Sequence, residues 1–348
     1  MNDSNNPFAS RTGPPGAAPI PYLIAEIGGN HEGSFEQARK QCALAIESGA
    51  DCIKFQLYSA DGLVNPLLSP DRHAHFRRFE LTREQHVALA ETCRAAGRDY
   101  LASVWEPDML EWIDPYLRHY KIGSGDLTAT PILRMHARRG KPIILSTGLA
   151  TLAEVQNAVA DIRAANPSYQ APGRIALLQC TSMYPNQDGD VNLAVLRTLA
   201  DIPGVAVGYS DHTIGMEALV AAVAAGAQIL EFHFTDRREG REFRDHKISL
   251  TVDEVRVLRK RVEQVVRFLG SPEKRPLESE IAAGHVGSFR RGLFPARDLP
   301  AGTVLGEDDL LCLRPAEGIR AEDYDRLLGR RLRVPARRLQ KLDWTMLE

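Results

Sequence analysis

Eight apolar, strand-like runs follow one another along most of this chain, and each ends in polar residues suited to chemistry. In order they are YLIAEIGGNHEG from Tyr22, DCIKFQ from Asp51, RDYLASVWE from Arg98, RHYKIGSGD from Arg118, KPIILSTG from Lys141, RIALLQCTSMYP from Arg174, GVAVGYSDHT from Gly204 and AQILEFHFTD from Ala227. Stretches with helical spacing separate most of them. Strand and helix alternating in this way predict a closed parallel (β/α)8 barrel, a TIM barrel. Such barrels build their sites at the C-terminal ends of the strands. Glu26, Lys54, Lys121, Ser146, Tyr184, His212 and His233 fall there.

The intervening segments carry helix punctuation. Phe35–Glu47 has apolar residues at helical spacing, Ser34 to cap its start and Gly49 to end it. Leu81–Ala96 opens with Thr82 as cap and Glu84 and Gln85 in its first turn. In Thr151–Ala165, Thr151 and Glu154 read as a capping box. Met216–Ala225 is short and almost wholly apolar, and Thr251–Leu269 stops at Gly270. The segment from Ser59 to Glu80 is the weakest part of the pattern. Its His73 and His75 read as solvated loop residues.

Beyond Gly270 the repeat ends. The expected organisation is a disordered lead-in over 1–20, a catalytic barrel over 21–270, a charged linker over 271–286 and a small β-rich module over 287–348. Short strands are expected in that module within GLFPARDL, TVLGEDDLLCL and RLRVPARRL. From His285 onward 12 basic residues face 10 acidic ones, which argues against a nucleic-acid role. The net charge of −2 says the same of nucleic acid and anionic membranes for the whole chain. No apolar run reaches the ~20 residues a bilayer span needs. Five scattered cysteines without a CxxC pair, and an N-terminus lacking an apolar signal core, point to a reduced, cytoplasmic protein.

Four groups of residues carry chemical possibilities. His212 and His233 end neighbouring strands, with Asp211 and Glu231 beside them, and suit a loosely held divalent metal, Mn2+ or Mg2+, with open positions. The competing reading is two separate histidines bonded to carbonyls. Lys54 and Lys121 are cations on apolar strands and need an anion if they point inward; otherwise they snorkel outward. Ser124, between Gly123 and Gly125, and Ser146, before Thr147 and Gly148, add hydroxyls and amides for phosphate or carboxylate oxygens. A Schiff-base lysine is the rival chemistry. Glu26 reads as a general base or as partner to a lysine.

Together the strings AEIGGNHEG, IKFQ, YKIGSGD, KPIILSTG, QCTSMYP, GYSDHT, EFHFTD, DHKISL and LRPAEGI resemble the sialic acid synthase family, phosphoenolpyruvate-dependent synthases of nine-carbon 2-keto-3-deoxy acids. The resemblance runs from about Tyr22 to the end of the chain. It implies a barrel followed by an antifreeze-like (SAF) domain, and a swapped homodimer in which that domain covers the partner's barrel mouth. It also implies His212 and His233 as metal ligands and Glu26 as the catalytic carboxylate. Lys54, Lys121, Ser124, Ser146 and Ser210 would hold phosphoenolpyruvate, and Gln56, Tyr184 and Asp245 would line the sugar site. Arg314 would reach a sugar N-acyl group across the dimer.

Four departures leave the acceptor sugar open. Ser182 stands where users of N-acetylmannosamine usually carry Asn, as in relatives making pseudaminic acid. Ser103-Val104-Trp105 replaces a Ser-Thr-Pro string. The Arg-Pro-Gly loop reads Arg314-Pro315-Ala316, and DRREGREFR lacks the usual Gly-Pro. The expected enzyme is a transferase joining phosphoenolpyruvate to an open-chain N-acylated hexosamine or a 6-deoxy-diamino hexose. A metal-dependent 2-keto acid aldolase and a non-catalytic sugar-binding homologue are the alternatives.

Overall fold

A computed structural model describes Phe8 and residues 20–348. Apart from Phe8 and Ile20, the expected lead-in over 1–20 therefore lies outside the described residues. The rest divides into two compact units, up to Gly270 and from Ser271. No helix among the described residues is long and apolar enough to cross a membrane.

The first unit is a closed parallel barrel with neighbouring strands in chain order. The strands are β1 (Tyr22–Glu26), β2 (Cys52–Leu57), β3 (Asp99–Val104), β4 (Tyr120–Ile122), β5 (Ile143–Ser146), β6 (Ile175–Cys180), β7 (Val205–Asp211) and β8 (Ile229–His233). Around them run α1 (Phe35–Ser48), α2 (Ala60–Leu63), α3 (Pro70–Phe79), α4 (Arg83–Ala95), α5 (Pro107–Ile113), α6 (Thr130–Arg139), α7 (Leu152–Ala165), α8 (Val195–Ala200), α9 (Glu217–Ala224) and α10 (Val252–Leu269).

Local chemistry sets the helix ends. The Ser34 hydroxyl accepts from Gln37 N, and Gly49 takes the left-handed conformation (φ 91°) that closes α1. Capping boxes start α4, with Thr82 and Gln85, and α7, with Thr151 and Glu154. At α10 the Glu254 carboxylate accepts from Thr251 N at 2.8 Å.

Strand alternation divides the barrel wall into two faces. Outward residues such as Leu23, Ile53, Phe55, Tyr100, Leu145, Leu177 and Phe232 pack against the helices in one large core. Inward residues form two tiers. The lower is apolar: Tyr22, Ile24, Cys52, Leu101, Ile144, Ala176, Leu178, Ala206 and Ile229 cluster with Phe8, whose ring lies 5.2 Å from that of His119. Burying each large apolar side chain there contributes roughly 1.5–3 kcal/mol. The upper tier is polar, and register pairs Glu26 with both Lys54 and His233, Ser103 with Lys121, and Ser210 with Glu231.

The 59–80 segment departs from expectation. It forms α2 and α3 and is tied down: Glu106 accepts from Ser59 N at 2.7 Å and Glu80 from Ala60 N. His73 and His75 are accordingly not solvated loop residues. They sit on α3, half-buried, with His73 Nε2 2.7 Å from Asp61 Oδ1.

In the second unit two short helices, α11 (Glu278–Ala282) and α12 (His285–Ser288), precede an antiparallel pair, β9 (Gly292–Pro295) and β10 (Leu310–Leu313). A four-residue helix, α13, spans Tyr324–Leu327. The expected strand in RLRVPARRL does not form. Only single bridges link Val304 with Arg331, Leu299 with Ala336, and Leu332 with Leu347. Pro335 lacks the N–H a ladder needs at that point. A small core of Leu293, Leu299, Leu305, Ile319, Leu327, Leu332 and Leu342 holds the unit together.

Candidate active site

The polar tier opens into a cavity of about 1320 Å3 at the C-terminal ends of the strands. Glu26, Lys54, Gln56, Lys121, Ser124 and Ser146 line it, as do Ser182, Tyr184, Ser210, His212, His233 and Asp245. Arg314 belongs to the second unit, where it is exposed and its guanidinium lies 5.4 Å over the Phe289 ring.

At the cavity floor two carboxylates and two ammonium groups form a chain. Lys54 Nζ lies 2.7 Å from Glu26 Oε2 and 3.9 Å from Glu231 Oε1, and Lys121 Nζ lies 3.5 Å from the same Glu231 oxygen. Lys121 also donates to Ser146 Oγ at 2.8 Å, and Ser210 Oγ donates to Glu231 at 3.1 Å. Gln56 Nε2 donates to the other Glu26 oxygen at 3.1 Å. Both lysines are buried, so the outward-snorkelling alternative falls away.

Burial works against the charge of Lys54, but Glu231 and Glu26 more than offset it and raise its pKa. For Lys121 burial wins over Glu231, and its pKa is lowered. Burial also opposes the Glu231 charge, yet Lys121 and Lys54 together hold that carboxyl well below its ordinary value. With Glu26 paired to Lys54 the four charges balance, and Lys121, whose carboxylate partner is shared with Lys54, is the cation placed to take a further anion.

Beside the lysines lies a cradle of hydroxyls. Gly148 N donates to Ser124 Oγ at 3.0 Å. A Cβ on Gly148 would meet Ser182 Oγ at 2.6 Å and Ser124 Oγ at 2.8 Å. The missing side chain lets the Gly148 backbone pack directly against both hydroxyls, and Ser124 and Ser182 line the cavity beside the lysines.

The imidazoles of His212 and His233 stand with ring centroids 5.3 Å apart, and the Tyr184 ring lies 4.0 Å from that of His212. His212 Nδ1 is 2.7 Å from Thr181 O, a carbonyl bond that fixes this ring and leaves Nε2 as its lone-pair nitrogen. Burial pushes His212 down to about 3, so it is neutral, as a ligand must be. Asp245 Oδ2 is 3.9 Å from His233 Nδ1. Among the described residues His233 Nδ1 and Glu231 Oε2 are buried without a hydrogen-bond partner. Such orphaned atoms, facing a cavity, mark where a ligand belongs. Among the same residues no group of three or more His, Cys, Asp or Glu is placed to hold a metal ion. Two neighbouring imidazoles, one with an unpartnered nitrogen, fit a cation completed by water or substrate oxygens.

Asp211, read as a flank of this pair, turns the other way. Between inward-facing Ser210 and His212, alternation sends it outward, where it accepts from Tyr209 Oη, Thr213 N and Thr213 Oγ1. Glu231, a flank of the histidine pair by sequence, lies on one face with His233 by the same rule. Sequence reasoning also misses the rim, where His75, Phe76 and Phe79 of α3 line the cavity together with Trp105 and Phe243. Those residues are far apart in the chain, and no local signal joins them.

Comparison with known proteins adds to this geometry. Residues 42–274 match a model of the NeuB family, and residues 290–348 match a SAF domain. The N,N'-diacetyllegionaminic acid synthase of Legionella pneumophila is 33% identical, over 96% of this chain and 97% of that protein. The human N-acetylneuraminate-9-phosphate synthase is 32% identical, over 90% and 89%. The crystal structure of N-acetylneuraminic acid (sialic acid) synthetase from Leptospira borgpetersenii superposes with a TM-score of 0.71 at 27% identity, covering 80% of this chain and 96% of that one.

Proposed function

The chain belongs to the NeuB family, and from that premise we propose that it is a transferase condensing phosphoenolpyruvate with an open-chain N-acylated amino sugar, releasing phosphate and a nine-carbon 2-keto-3-deoxy acid. The observation that carries the reading is the convergence, in one cavity, of two buried lysines and a hydroxyl cradle with a histidine pair. Named synthases among the relatives support the sugar-acid chemistry, since they make acids of this class.

Lys54, Lys121, Ser124, Ser146 and Ser210 bind the phosphate and carboxylate of phosphoenolpyruvate. This preorganised charge stabilises the anions as bonding changes. His212 and His233 hold a divalent cation, Mn2+ or Mg2+, which when bound supplies a Lewis acid for the sugar aldehyde. Gln56, Ser182, Tyr184 and Asp245 orient the sugar so that its aldehyde carbon meets the phosphoenolpyruvate methylene. A C–C bond forms there, C2 becomes electron-poor, and water adds to it. Glu26, held in place by Lys54 and Gln56, takes that water's proton, and loss of phosphate from the tetrahedral carbon leaves the keto group. Arg314 is assigned to the N-acyl group of a sugar bound by a neighbouring subunit of a homodimer.

The test is a panel of amino sugars with phosphoenolpyruvate, following phosphate release. Release dependent on both substrates is expected, and pyruvate serving in place of phosphoenolpyruvate would overturn the reading. The lowered pKa of Lys121 favours a second reading, a Schiff-base aldolase. Borohydride with pyruvate separates the two, because only the aldolase would be trapped as a lysine adduct.

A further inference from the structure

The floor of the cavity is charged, but one side of its rim is aromatic. Ring centroids of His75 and Phe79 lie 4.5 Å apart, those of Phe79 and Phe243 5.1 Å, and those of His75 and Phe243 5.9 Å. All three residues line the cavity. They come from α3 and from the loop after β8, so the wall exists only once the barrel closes.

Phe243 is held firmly in this wall. A Cβ on Gly29 would meet two atoms of its ring at 2.8 Å, so the ring rests directly on the Gly29 backbone. It nevertheless stays half-exposed and lines the cavity. Two residues further on, Asp245 stands 3.9 Å from His233. The wall thus borders the part of the cavity assigned above to the sugar, and the proposal places it against the end remote from the aldehyde.

Three exposed arginines also line this rim, each with its guanidinium over an aromatic ring. Arg72 lies 5.6 Å over Phe76 and Arg78 5.7 Å over Phe79. Arg244 lies 4.5 Å over Tyr184 and donates to Asp245 at 3.0 Å. Burial, then Arg78 and Arg244, lower the pKa of His75 and keep the ring neutral. The carboxylates of Glu32 and Glu242 line the same rim and oppose a second bound anion.

We propose that Phe243, with His75 and Phe79, is a specificity-determining residue that favours an acceptor whose end remote from the aldehyde is apolar, such as a 6-deoxy carbon, over one ending in hydroxymethyl or phosphate. This inference rests on the synthase reading and deepens it. Aromatic faces pack against C–H groups, and burying a hydroxymethyl or phosphate against them leaves polar groups without partners.

The experiment uses the full chain and three acceptors: an N-acetylated 6-deoxyhexosamine, the 6-hydroxy parent sugar and its 6-phosphate. Phosphate release is followed with each, and acceptor binding is measured in parallel by calorimetry. The 6-deoxy sugar should be favoured about 10- to 100-fold, the range a single group provides in an apolar site. Phe243→Ala should erase most of that ratio through the acceptor KM more than through kcat, and Phe243→Leu should keep part of it. Equal or reversed preference in the parent, or a ratio untouched by Phe243→Ala, overturns the inference. Turnover of all three acceptors alike would do so while leaving the synthase reading intact. Discrimination in binding without any phosphate release would sustain the wall and sink that reading.

Discussion

Replacing Glu231 by glutamine removes the carboxylate that both floor lysines share, and the distances allow the cost to be worked out. At 3.5 and 3.9 Å, and an effective dielectric near 20, each attraction is worth roughly 4–5 kcal/mol. Much of that is returned, because the variant no longer buries a carboxylate of its own. Lys54 keeps Glu26 at 2.7 Å, so Lys121 is the cation left stranded. Breaking a buried pair typically costs about 3–5 kcal/mol. Taking about 3 kcal/mol, and about 2–4 °C per kcal/mol for a unit of this size, Tm should fall by roughly 6–12 °C. Inorganic phosphate should then raise the variant's Tm more than the parent's, by resupplying the missing charge. Thermal unfolding with and without phosphate at constant ionic strength reads both effects. Glu217→Gln, which breaks an exposed pair with Arg261, is the control and should cost under about 1 kcal/mol. A Glu231→Gln protein that melts with the parent and gains nothing extra from phosphate would refute this account of the floor.

Three further outcomes are expected. His212→Ala and His233→Ala should each abolish phosphate release, and a chelator should do the same reversibly in the parent; full activity in chelator would remove the cation from the mechanism. Mixed dimers of Arg314→Ala and His233→Ala subunits should recover part of the activity, since one hybrid site joins an intact barrel to an intact arginine, and verified heterodimers that stay inactive would confine Arg314 to its own subunit. Buried His86, bonded through Nδ1 to Tyr100 Oη at 2.7 Å, is pushed down to about 3 by burial. The unfolded chain binds its proton from about pH 6.5 downward while the folded one does not, so stability falls with pH by about 1.4 kcal/mol per unit across that window. Urea unfolding should show His86→Asn losing about 2 kcal/mol less than the parent between pH 7 and 5, and parallel profiles would refute it.

What could be read from the sequence followed from short-range rules. Thr82, Thr151 and Gly49 act on neighbours within a few residues, and the helices they delimit lie where spacing puts them. Alternation along ILEFH similarly carries His233 and Glu231 into the barrel, although no sequence motif gives the glutamate a role of its own. Asp211 shows the same rule neglected, since an odd step from Ser210 turns it out of the cavity. The rim lay beyond reach, because the His75–Phe243 contact spans most of the barrel and depends on closure. In the second unit, RLRVPARRL forms no strand: Pro335 denies the ladder, and Val334 is exposed between buried Leu332 and Ala336.

The apolar lower tier, with Phe8 beneath it, makes the barrel a well with one opening. Traffic through such a well is last in, first out. A ligand gripped by Lys54 and Lys121 lies under anything held by Tyr184 or Phe243, so in the proposed reaction phosphoenolpyruvate would have to load before the sugar. The phosphate released in that reaction would depart only after the sugar acid had cleared the mouth. Initial rates should therefore show compulsory order, with phosphate competing against phosphoenolpyruvate alone. Random order would mean that the well has a second way in.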